Sequence, residues 1–422
     1  MLITFKVSNF LSFSEEQSIS MIPSTSENQD LIKIDQIELL RKGVIFGANS
    51  SGKSNFIKAL AFGKELVLEG FLNKHRNLYS KTLIDNKGKE SKFEYTFYMN
   101  GKFYSFGFSF ILYEGRFTNE FLYEINGDDE EILIFSRNQK EFVWNIVPEA
   151  EMEEYKRILK EKPDCLFINL IASAIGFKNL RDVYCWFRDK LIVNFQNQEF
   201  LRLESGFIKS QDSFVKMLKA YDTGISEIRF RKIELDSLRK HGEDMYKRIL
   251  SEMARGHSPF GIRLKDALYN FLNLDGDFEV FELYLRHQNS ELDYEFKEES
   301  DGTRRMFDLL DIIISPIPYA IYLIDEINRS IHPLLTEKFL LTYKNTLKEN
   351  FVQLIFTTHE ANLLHEELLR RDEVWFVEKQ ADNSSRIFSL DIFQKENEKD
   401  LGKAYLAGRY GGIPLLNKSG DN

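Results

Sequence analysis

A glycine-rich turn near the N-terminus constrains the fold of this chain more than any other feature. The stretch "GVIFGANSSGKSNFIKAL", residues 43–60, contains an apolar strand, a turn and the start of a helix. It satisfies the pattern G-x-x-x-x-G-K-[ST], whose backbone N–H groups, lysine and hydroxyl hold phosphates and Mg²⁺. The alternative, a plain glycine-rich turn, fits the strand and helix around it less well. We therefore predict a nucleotide site formed by Gly47, Asn49, Ser50, Ser51, Gly52, Lys53, Ser54 and Asn55.

Two carboxylates near residue 325 are candidates for the second half of this site. In "AIYLIDEINRS" an apolar run that is typical of a buried strand ends at Asp325 and Glu326. A P-loop needs a carboxylate to hold the metal and, for hydrolysis, a residue that activates water. We predict that Asp325 binds Mg²⁺ and that Glu326 polarises the attacking water. The alternative is that both residues only end a strand, and their combination with the P-loop makes this interpretation less attractive.

Two further segments fit a triphosphate site. "QLIFTTHE" ends a second apolar run at Thr357, Thr358 and His359, where an imidazole can hydrogen-bond a γ-phosphate or lie at the surface. "EESDGTRRMFDLLDIIIS" places Ser300 and Gly302 where a helix starts. Here the alternatives are an ordinary helix cap and a second phosphate-binding helix N-terminus.

The order of strand and helix patterns predicts an α/β fold with an insertion. Residues 92–144 alternate apolar and polar residues between turn-like linkers, and Asn100-Gly101 is a strong hairpin signal. The pattern over residues 149–273 is mostly helical, and continuous apolar runs of parallel strands follow. We predict a P-loop fold with a mixed sheet, an antiparallel β-subdomain and an inserted, mainly helical lobe. The predicted domains are 1–145, 146–275 and 276–422.

Composition excludes several classes of protein. Hydrophobic residues make up 43% of the chain and aromatic residues 14%, which is enough for a large core. The net charge of −10 argues against a protein that coats nucleic acid or an anionic membrane. Cys165 and Cys185 form no C-x-x-C motif, so a zinc site and a disulfide framework are both disfavoured. No apolar run is long enough to span a bilayer, and we expect a cytoplasmic protein without a membrane partner.

The ordered set of motifs resembles ABC-type ATPases of the SMC/RecF branch. "FKVSNFLSF" resembles the N-terminal strand of that branch, "ESDGTRR" stands at the signature position and "RSIHP" at the D-loop position. The middle segment "WFRDKLIVNF" and the ending "AYLAGRYGGIP" resemble a narrower group of compact bacterial ATPases found in abortive-infection and other anti-phage systems.

This resemblance implies roles for the motif residues. It implies ATP and Mg²⁺ as ligands, with Lys53 and Ser54 on the phosphates and the metal, and Asp325 on the metal. Glu326 would be the catalytic base and His359 the switch histidine. Ser300 and Gly302 would contact the γ-phosphate held by another subunit, so the chain would act as a homodimer or a larger homo-oligomer.

Some positions depart from the wider pattern of the branch. The signature segment lacks the usual LSGGQ wording, so the contact between subunits depends on Ser300 and Gly302. Leu11 stands where relatives often carry a basic residue. The Q-loop glutamine cannot be assigned from the sequence, although Gln139 and Gln196 are candidates.

The resemblance thus implies an ATPase that senses or regulates, with a toxin or nuclease as a separate effector protein. Two alternatives remain open at this point. One is a RecF-like repair ATPase that binds DNA, for which the basic clusters at Arg229–Lys232 and at Arg304 and Arg305 are candidates. The other is an ATP-gated scaffold with little turnover. ATP is preferred over GTP from the resemblance alone.

Overall fold

The structure, a computed structural model, describes most of the chain. The described residues are 1–25, 30–126, 130–145, 149–161, 165–171, 178–195, 200–203, 207–256, 258–264, 266–393 and 400–413. Their contacts divide the chain into two compact units. The first unit comprises Met1–Val193, Tyr319–Ile327 and Phe351–Asn422, and the second comprises Asn194–Pro318 and Asn328–Asn350. The domain boundaries predicted above follow a different division and stay predictions.

The described residues form runs of consecutive strands that helices separate. The strands are β1 (Leu2–Ser8), β2 (Gln17–Ser20), β3 (Leu31–Ile34), β4 (Ile37–Leu40), β5 (Lys42–Phe46), β6 (Ser91–Met99), β7 (Lys102–Ile111), β8 (Arg116–Ile125), β9 (Glu131–Asn138), β10 (Phe142–Trp144), β11 (Leu191–Asn194), β12 (Phe200–Leu203), β13 (Ile225–Ile233), β14 (Phe260–Leu264), β15 (Leu268–Leu274), β16 (Asp277–His287), β17 (Tyr294–Glu295), β18 (Ile321–Ile324), β19 (Gln353–Thr357), β20 (Val374–Lys379) and β21 (Ser385–Ser389).

The helices differ widely in length. They are α1 (Lys53–Glu69), α2 (Glu149–Glu161), α3 (Phe167–Ile171), α4 (Lys178–Cys185), α5 (Phe207–Ala220), α6 (Glu243–Met253), α7 (Asp301–Ile314), α8 (Pro333–Thr346) and α9 (Leu401–Leu406). Within the described ranges, no helix combines the length and the apolar character that crossing a membrane requires.

A mixed six-stranded sheet in the first unit carries the glycine-rich turn. Its strand order is β11-β18-β19-β5-β20-β21, and β18, β19, β5 and β20 run parallel to one another. Every residue of β5, β18 and β19 is buried, as expected for strands covered on both faces. Because the carboxyl ends of parallel strands meet at one edge, the residues after β5, β18 and β19 lie along the same edge of the sheet. The predicted mixed sheet is confirmed.

An antiparallel seven-stranded sheet, also in the first unit, has the order β10-β9-β8-β7-β6-β1-β2. Its strands β6 to β10 form the predicted meander. The turn between β6 and β7 has positive φ angles at both Asn100 (51°) and Gly101 (85°), which is why asparagine and glycine are favoured there. Buried Gln353 joins this sheet to β19, since its side chain exchanges hydrogen bonds with the backbone N–H and C=O of Leu2.

Aromatic residues of the antiparallel sheet hold α1, the helix that follows the turn. The hydroxyl of buried Tyr95 accepts a hydrogen bond from the backbone N–H of Gly63 in α1. A Cβ atom at Gly63 would lie 2.3 Å from that hydroxyl oxygen, so only glycine fits. Trp186, from the segment singled out as "WFRDKLIVNF", stacks on Phe97 with ring centroids 4.1 Å apart. Helix α1 therefore starts from a fixed position at the edge of the mixed sheet.

The second unit contains its own sheet, with the order β12-β14-β15-β16-β13, to which β17 is added beside β16. Two strand-like segments within the predicted lobe, "LIVNF" and "ISEIRFRKI", correspond to β11 and β13. Strands β12, β14 and β15 are additions to the mainly helical lobe predicted for residues 146–275. Buried Phe260, Ile262 and Leu264 alternate with Gly261 and Arg263 along β14. This period of two is a strand signal that the longer helical patterns around it obscured.

Candidate active site at the glycine-rich turn

The glycine-rich turn is packed so closely that two of its positions exclude any side chain. A Cβ atom at Gly47 would lie 2.5 Å from the carbonyl oxygen of Val377. Gly52 has a φ of 113°, and a Cβ atom there would lie 2.3 Å from Oγ of Ser385. The first and second glycines of the motif are thus required by contacts with β20 and β21. The backbone between them forms the narrow turn that the pattern predicts.

Lys53 begins α1 and folds back over the turn. Its Nζ donates hydrogen bonds to the carbonyl oxygens of Gly47 (2.8 Å) and Ala48 (2.9 Å). Burial lowers the pKa of this lysine, and the nearby negative charges of Glu326 and Asp325 oppose that shift. A buried ammonium group with only carbonyl partners is suited to exchange them for phosphate oxygens, which carry a full negative charge.

The structure brings Asp325 to the turn, although the two are far apart in the sequence. Asp325 directly follows β18 and is buried. Its Oδ1 accepts a hydrogen bond from the hydroxyl of Ser54 at 2.9 Å. The same oxygen accepts a second bond from the hydroxyl of Thr357 at 2.8 Å. These two bonds connect the first turn of α1 to the ends of β18 and β19.

Thr357 is a residue whose importance the sequence analysis missed. Its hydroxyl donates to Asp325 and also accepts a hydrogen bond from the backbone N–H of Glu326 at 2.7 Å. It is fully buried at the end of β19. The sequence did contain a signal, since a threonine ends an otherwise apolar parallel strand.

Glu326 is held in an uncommon backbone conformation. Its φ of 48° lies in the left-handed region, which residues other than glycine rarely adopt. The hydrogen bond from its N–H to Thr357 fixes this turn directly after β18. Strained backbone positions of this kind cluster at functional sites. The side chain of Glu326 is partly exposed at the edge of the sheet, unlike that of Asp325.

The other predicted residues of the turn, of β19 and of α7 occupy different settings. Asn49 and Ser50 are exposed, Ser51 is buried, and Asn55 donates from Nδ2 to the hydroxyl of Ser12 at 2.9 Å. His359 is exposed two residues beyond the end of β19.

Ser300 and Gly302 belong to the second unit, at the start of α7. The hydroxyl of Ser300 accepts a hydrogen bond from the N–H of Thr303 at 3.1 Å and caps the helix. A Cβ atom at Gly302 would lie 2.5 Å from the carbonyl oxygen of Ser330. Local packing therefore accounts for both residue types, and Ser300 is nevertheless exposed.

The candidate Q-loop glutamines remain unassigned. Gln139 donates from Nε2 to the carbonyl oxygen of Phe117 within the antiparallel sheet. Gln196 lies outside the described residues.

The oxygen atoms at the turn suit a divalent metal ion. Ser54 and Asp325 present a hydroxyl and a carboxylate oxygen 2.9 Å apart, and hard oxygen donors are what Mg²⁺ prefers. Elsewhere in the parts of the chain that the structure describes, no group of three or more histidine, cysteine, aspartate or glutamate residues could hold a metal. Cys165 and Cys185 are not joined in a disulfide.

The basic cluster at Arg229–Lys232 is neutralised within the second unit. Arg229 pairs with Glu227 at 3.0 Å, Arg231 with Asp293 at 3.2 Å, and Lys232 with Glu279 at 2.5 Å. Arg304 pairs with Asp301. Positive charge that is already matched by carboxylates contributes little to binding a polyanion.

The site combines a strand–turn–helix whose two glycines leave no room for a side chain, a lysine over the turn, and a carboxylate at the end of a neighbouring parallel strand. This combination defines a P-loop nucleoside triphosphatase. The chain belongs to the family described as "AAA domain, putative AbiEii toxin, Type IV TA system", whose model matches residues 44–365 and thus more than half of the sequence. It is a P-loop ATPase, and the resemblance to ABC-type ATPases of abortive-infection systems is confirmed. No curated protein is similar to the chain in sequence.

Two solved structures are similar to this chain at low identity. One is the crystal structure of the SmcHead bound to the C-winged helix domain of ScpA, with 13% identity and a TM-score of 0.41 over 94% of this chain and 98% of that one. The other is the SMC head domain from Thermotoga maritima, with 15% identity and a TM-score of 0.34 over 92% of this chain and 98% of that one.

We predict that Thr357→Val lowers kcat for ATP hydrolysis, because it removes the hydroxyl that orients both Asp325 and Glu326. A hydrogen bond to a charged group contributes about 1.5–3 kcal/mol, so the expected loss is roughly 10- to 100-fold. Steady-state ATPase assays measure the effect. Thr357→Ser, which keeps the hydroxyl, is the matched control and should retain most of the activity. Equal rates for wild type and Thr357→Val would mean that Thr357 is only a core residue.

Proposed function

We propose that this ATPase binds Mg²⁺-ATP at the P-loop and works as a nucleotide-gated dimer or larger assembly. In this proposal it is the sensor or regulatory subunit of a bacterial anti-phage system, and a separate effector protein carries the toxic activity. The catalytic part of this proposal is supported by the hydrogen bonds among Ser54, Asp325 and Thr357. These bonds connect the P-loop helix to the ends of β18 and β19.

In the proposed site the P-loop backbone and Lys53 hold the phosphates, and Ser54 and Asp325 hold Mg²⁺. The metal ion, when bound, would neutralise charge on the β- and γ-phosphate oxygens. The remaining P-loop residues Asn49, Ser50, Ser51 and Asn55 line the nucleotide. The donation of Lys53 to the carbonyl oxygens of Gly47 and Ala48 supports this assignment, because the same ammonium group is then within the turn that receives the phosphates.

Hydrolysis is assigned to Glu326, with His359 as the γ-phosphate switch. A water molecule attacks the γ-phosphorus, its proton passes to the Glu326 carboxylate, and the bond to the β–γ bridging oxygen breaks to give ADP and phosphate. The fixed backbone of Glu326 supports this role, because a base must be held at a defined position relative to its proton donor. Its partly exposed side chain also leaves it accessible to water.

The contact between subunits is assigned to Ser300 and Gly302. Ser300 is exposed at the N-terminus of the 14-residue helix α7, and helix N-termini favour anions. We propose that this helix end closes on the γ-phosphate bound by another copy of the chain. ATP then drives association through the contacts that exist only in the closed state.

We predict that Glu326→Gln binds ATP, stalls hydrolysis and accumulates closed dimers. The amide retains the shape of the side chain but cannot accept the proton from water, so hydrolysis should slow by about 10²–10⁴-fold. ATPase assays and size-exclusion chromatography with light scattering, with and without ATP, measure both effects. Lys53→Ala is the control and should lose ATP binding and dimers together. Normal turnover by Glu326→Gln would rule out this base.

Mixing two inactive variants tests whether the site is shared between subunits. Ser300→Asp keeps a good helix cap but places a negative charge against the γ-phosphate, and Lys53→Ala removes the phosphate contact. Each variant alone should be inactive. In an equal mixture only the mixed pair has an intact site, one of its two, so part of the wild-type activity, up to about half, should return. Full activity of Ser300→Asp, or no recovery in the mixture, would contradict a shared site.

The anti-phage assignment is supported by the family, whose description names a type IV TA system. We expect the chain to co-purify with the product of a neighbouring gene that is a toxin or nuclease, and to do so more strongly as the ATP-bound Glu326→Gln variant. Affinity capture from cells that express the whole operon measures this. If the purified chain alone cuts nucleic acid in an ATP-dependent way, the effector is not a separate protein.

The RecF-like alternative has less support. Its candidate basic cluster is paired with carboxylates, and the net charge of the chain is −10. The scaffold alternative is less favoured because Glu326 and Asp325 retain the arrangement of a hydrolytic site. ATPase assays with and without duplex DNA separate both alternatives from the proposed function.

A further inference from the structure

The C-terminal segment "AYLAGRYGGIP" has no part in the catalytic roles proposed above. Its described part, residues 404–413, is called the C-terminal strap here. It lies beyond residues 44–365, which the family model matches. It belongs to the same compact unit as the P-loop. Its contacts point to a role at the nucleotide site.

An aromatic stack attaches the strap to the two strands that flank the P-loop. The ring of Tyr405 lies 5.9 Å from that of Phe46, the residue directly before Gly47, and stacks on Phe376 of β20 at 5.2 Å. Tyr410 stacks on Phe376 at 5.8 Å. All four rings are buried, and stacked aromatic pairs stabilise a contact beyond the area they bury.

The strap reaches the first glycine of the P-loop itself. Its two adjacent glycines, Gly411 and Gly412, both have a φ of 68°. A Cβ atom at Gly412 would lie 3.7 Å from Cα of Gly47 and 3.6 Å from the ring of Phe376. The buried hydroxyl of Tyr405 donates to the carbonyl oxygen of Gly412 at 3.0 Å and fixes this approach. Gly412 therefore lies beside Gly47 at the start of the P-loop.

The other end of the strap's helix rests on the segment that follows β19. A Cβ atom at Gly402 in α9 would lie 2.7 Å from the carbonyl oxygen of Ala361, two residues after His359. Asp400 caps α9 by accepting a hydrogen bond from the N–H of Lys403 at 2.9 Å. One continuous piece of chain thus touches both Gly47 and the neighbourhood of His359.

We propose that the strap is a positioning element for nucleotide binding, with Gly412 and Tyr405 as its positioning residues. Val377 and Ser51 pack closely around Gly47 and Gly412 lies beside it, so the seated strap helps the P-loop to keep its narrow shape. Bound nucleotide favours the seated strap, and by linkage the seated strap raises nucleotide affinity. This inference rests on the proposed binding of ATP at the P-loop.

The adjacent glycines Gly411 and Gly412 provide a matched test. Gly412→Val and Gly411→Val introduce the same side chain at the same positive φ of 68°. At Gly412 the side chain meets Gly47 and Phe376, whereas at Gly411 it meets the carboxylate of Glu378, whose flexible end can move. We expect Gly412→Val to raise both the Kd for Mg²⁺-ATP and the KM at least about tenfold, with little change in kcat. Gly411→Val should bind like wild type.

Titration calorimetry with a non-hydrolysable ATP analogue gives the Kd, and ATPase assays separate KM from kcat. Equal affinities for both variants and wild type would overturn the role of the strap. Lys53→Ala keeps the two proposals distinct: if it still binds ATP, the proposed function fails, and if it alone loses binding, only the strap inference fails.

Hydrogen exchange on the wild-type chain tests the role of the strap even if Gly412→Val does not fold. The saturating ATP analogue should slow amide exchange in residues 404–413 while leaving the Asn100-Gly101 hairpin unchanged. Unchanged exchange in the strap, with nucleotide binding verified by calorimetry, would overturn the inference.

Discussion

The carboxylate of Asp325 is the interaction on which the organisation of the site depends. One of its oxygens accepts hydrogen bonds from Ser54 at the start of α1 and from Thr357 at the end of β19. A buried carboxylate without such donors would be strongly destabilising. The bonds therefore fix the relative positions of the P-loop helix and two strands, and they keep the Asp325 carboxylate beside the Ser54 hydroxyl.

The parallel order of β18, β19, β5 and β20 makes this arrangement possible. Their carboxyl ends share one edge of the sheet, so short segments after each strand meet there: the P-loop after β5, the two carboxylates after β18, and Thr357 at the end of β19. The antiparallel sheet is accessory to this edge. It orients α1 through Tyr95 and Gly63.

Much of this could be predicted from the sequence because the signals are local. The P-loop pattern specifies its own turn, the apolar runs of β18 and β19 specify buried strands, and Asn100-Gly101 specifies a hairpin. Three features were beyond such reasoning. The strands β12, β14 and β15 lie among stronger helical patterns, the role of Thr357 depends on a neighbour in another strand, and the approach of Gly412 to Gly47 joins opposite ends of the chain.

By itself the sequence determined the kind of chemistry: a lysine, a hydroxyl and two carboxylates in a pattern that handles phosphate, set in strands and helices of recognisable period. Only the tertiary structure decided that Asp325 shares its oxygen between Ser54 and Thr357, and that Glu326 has a left-handed backbone. The physical reason is that periodicity and turn chemistry act over a few residues. Hydrogen bonds and close packing between distant segments depend on how the sheet orders its strands.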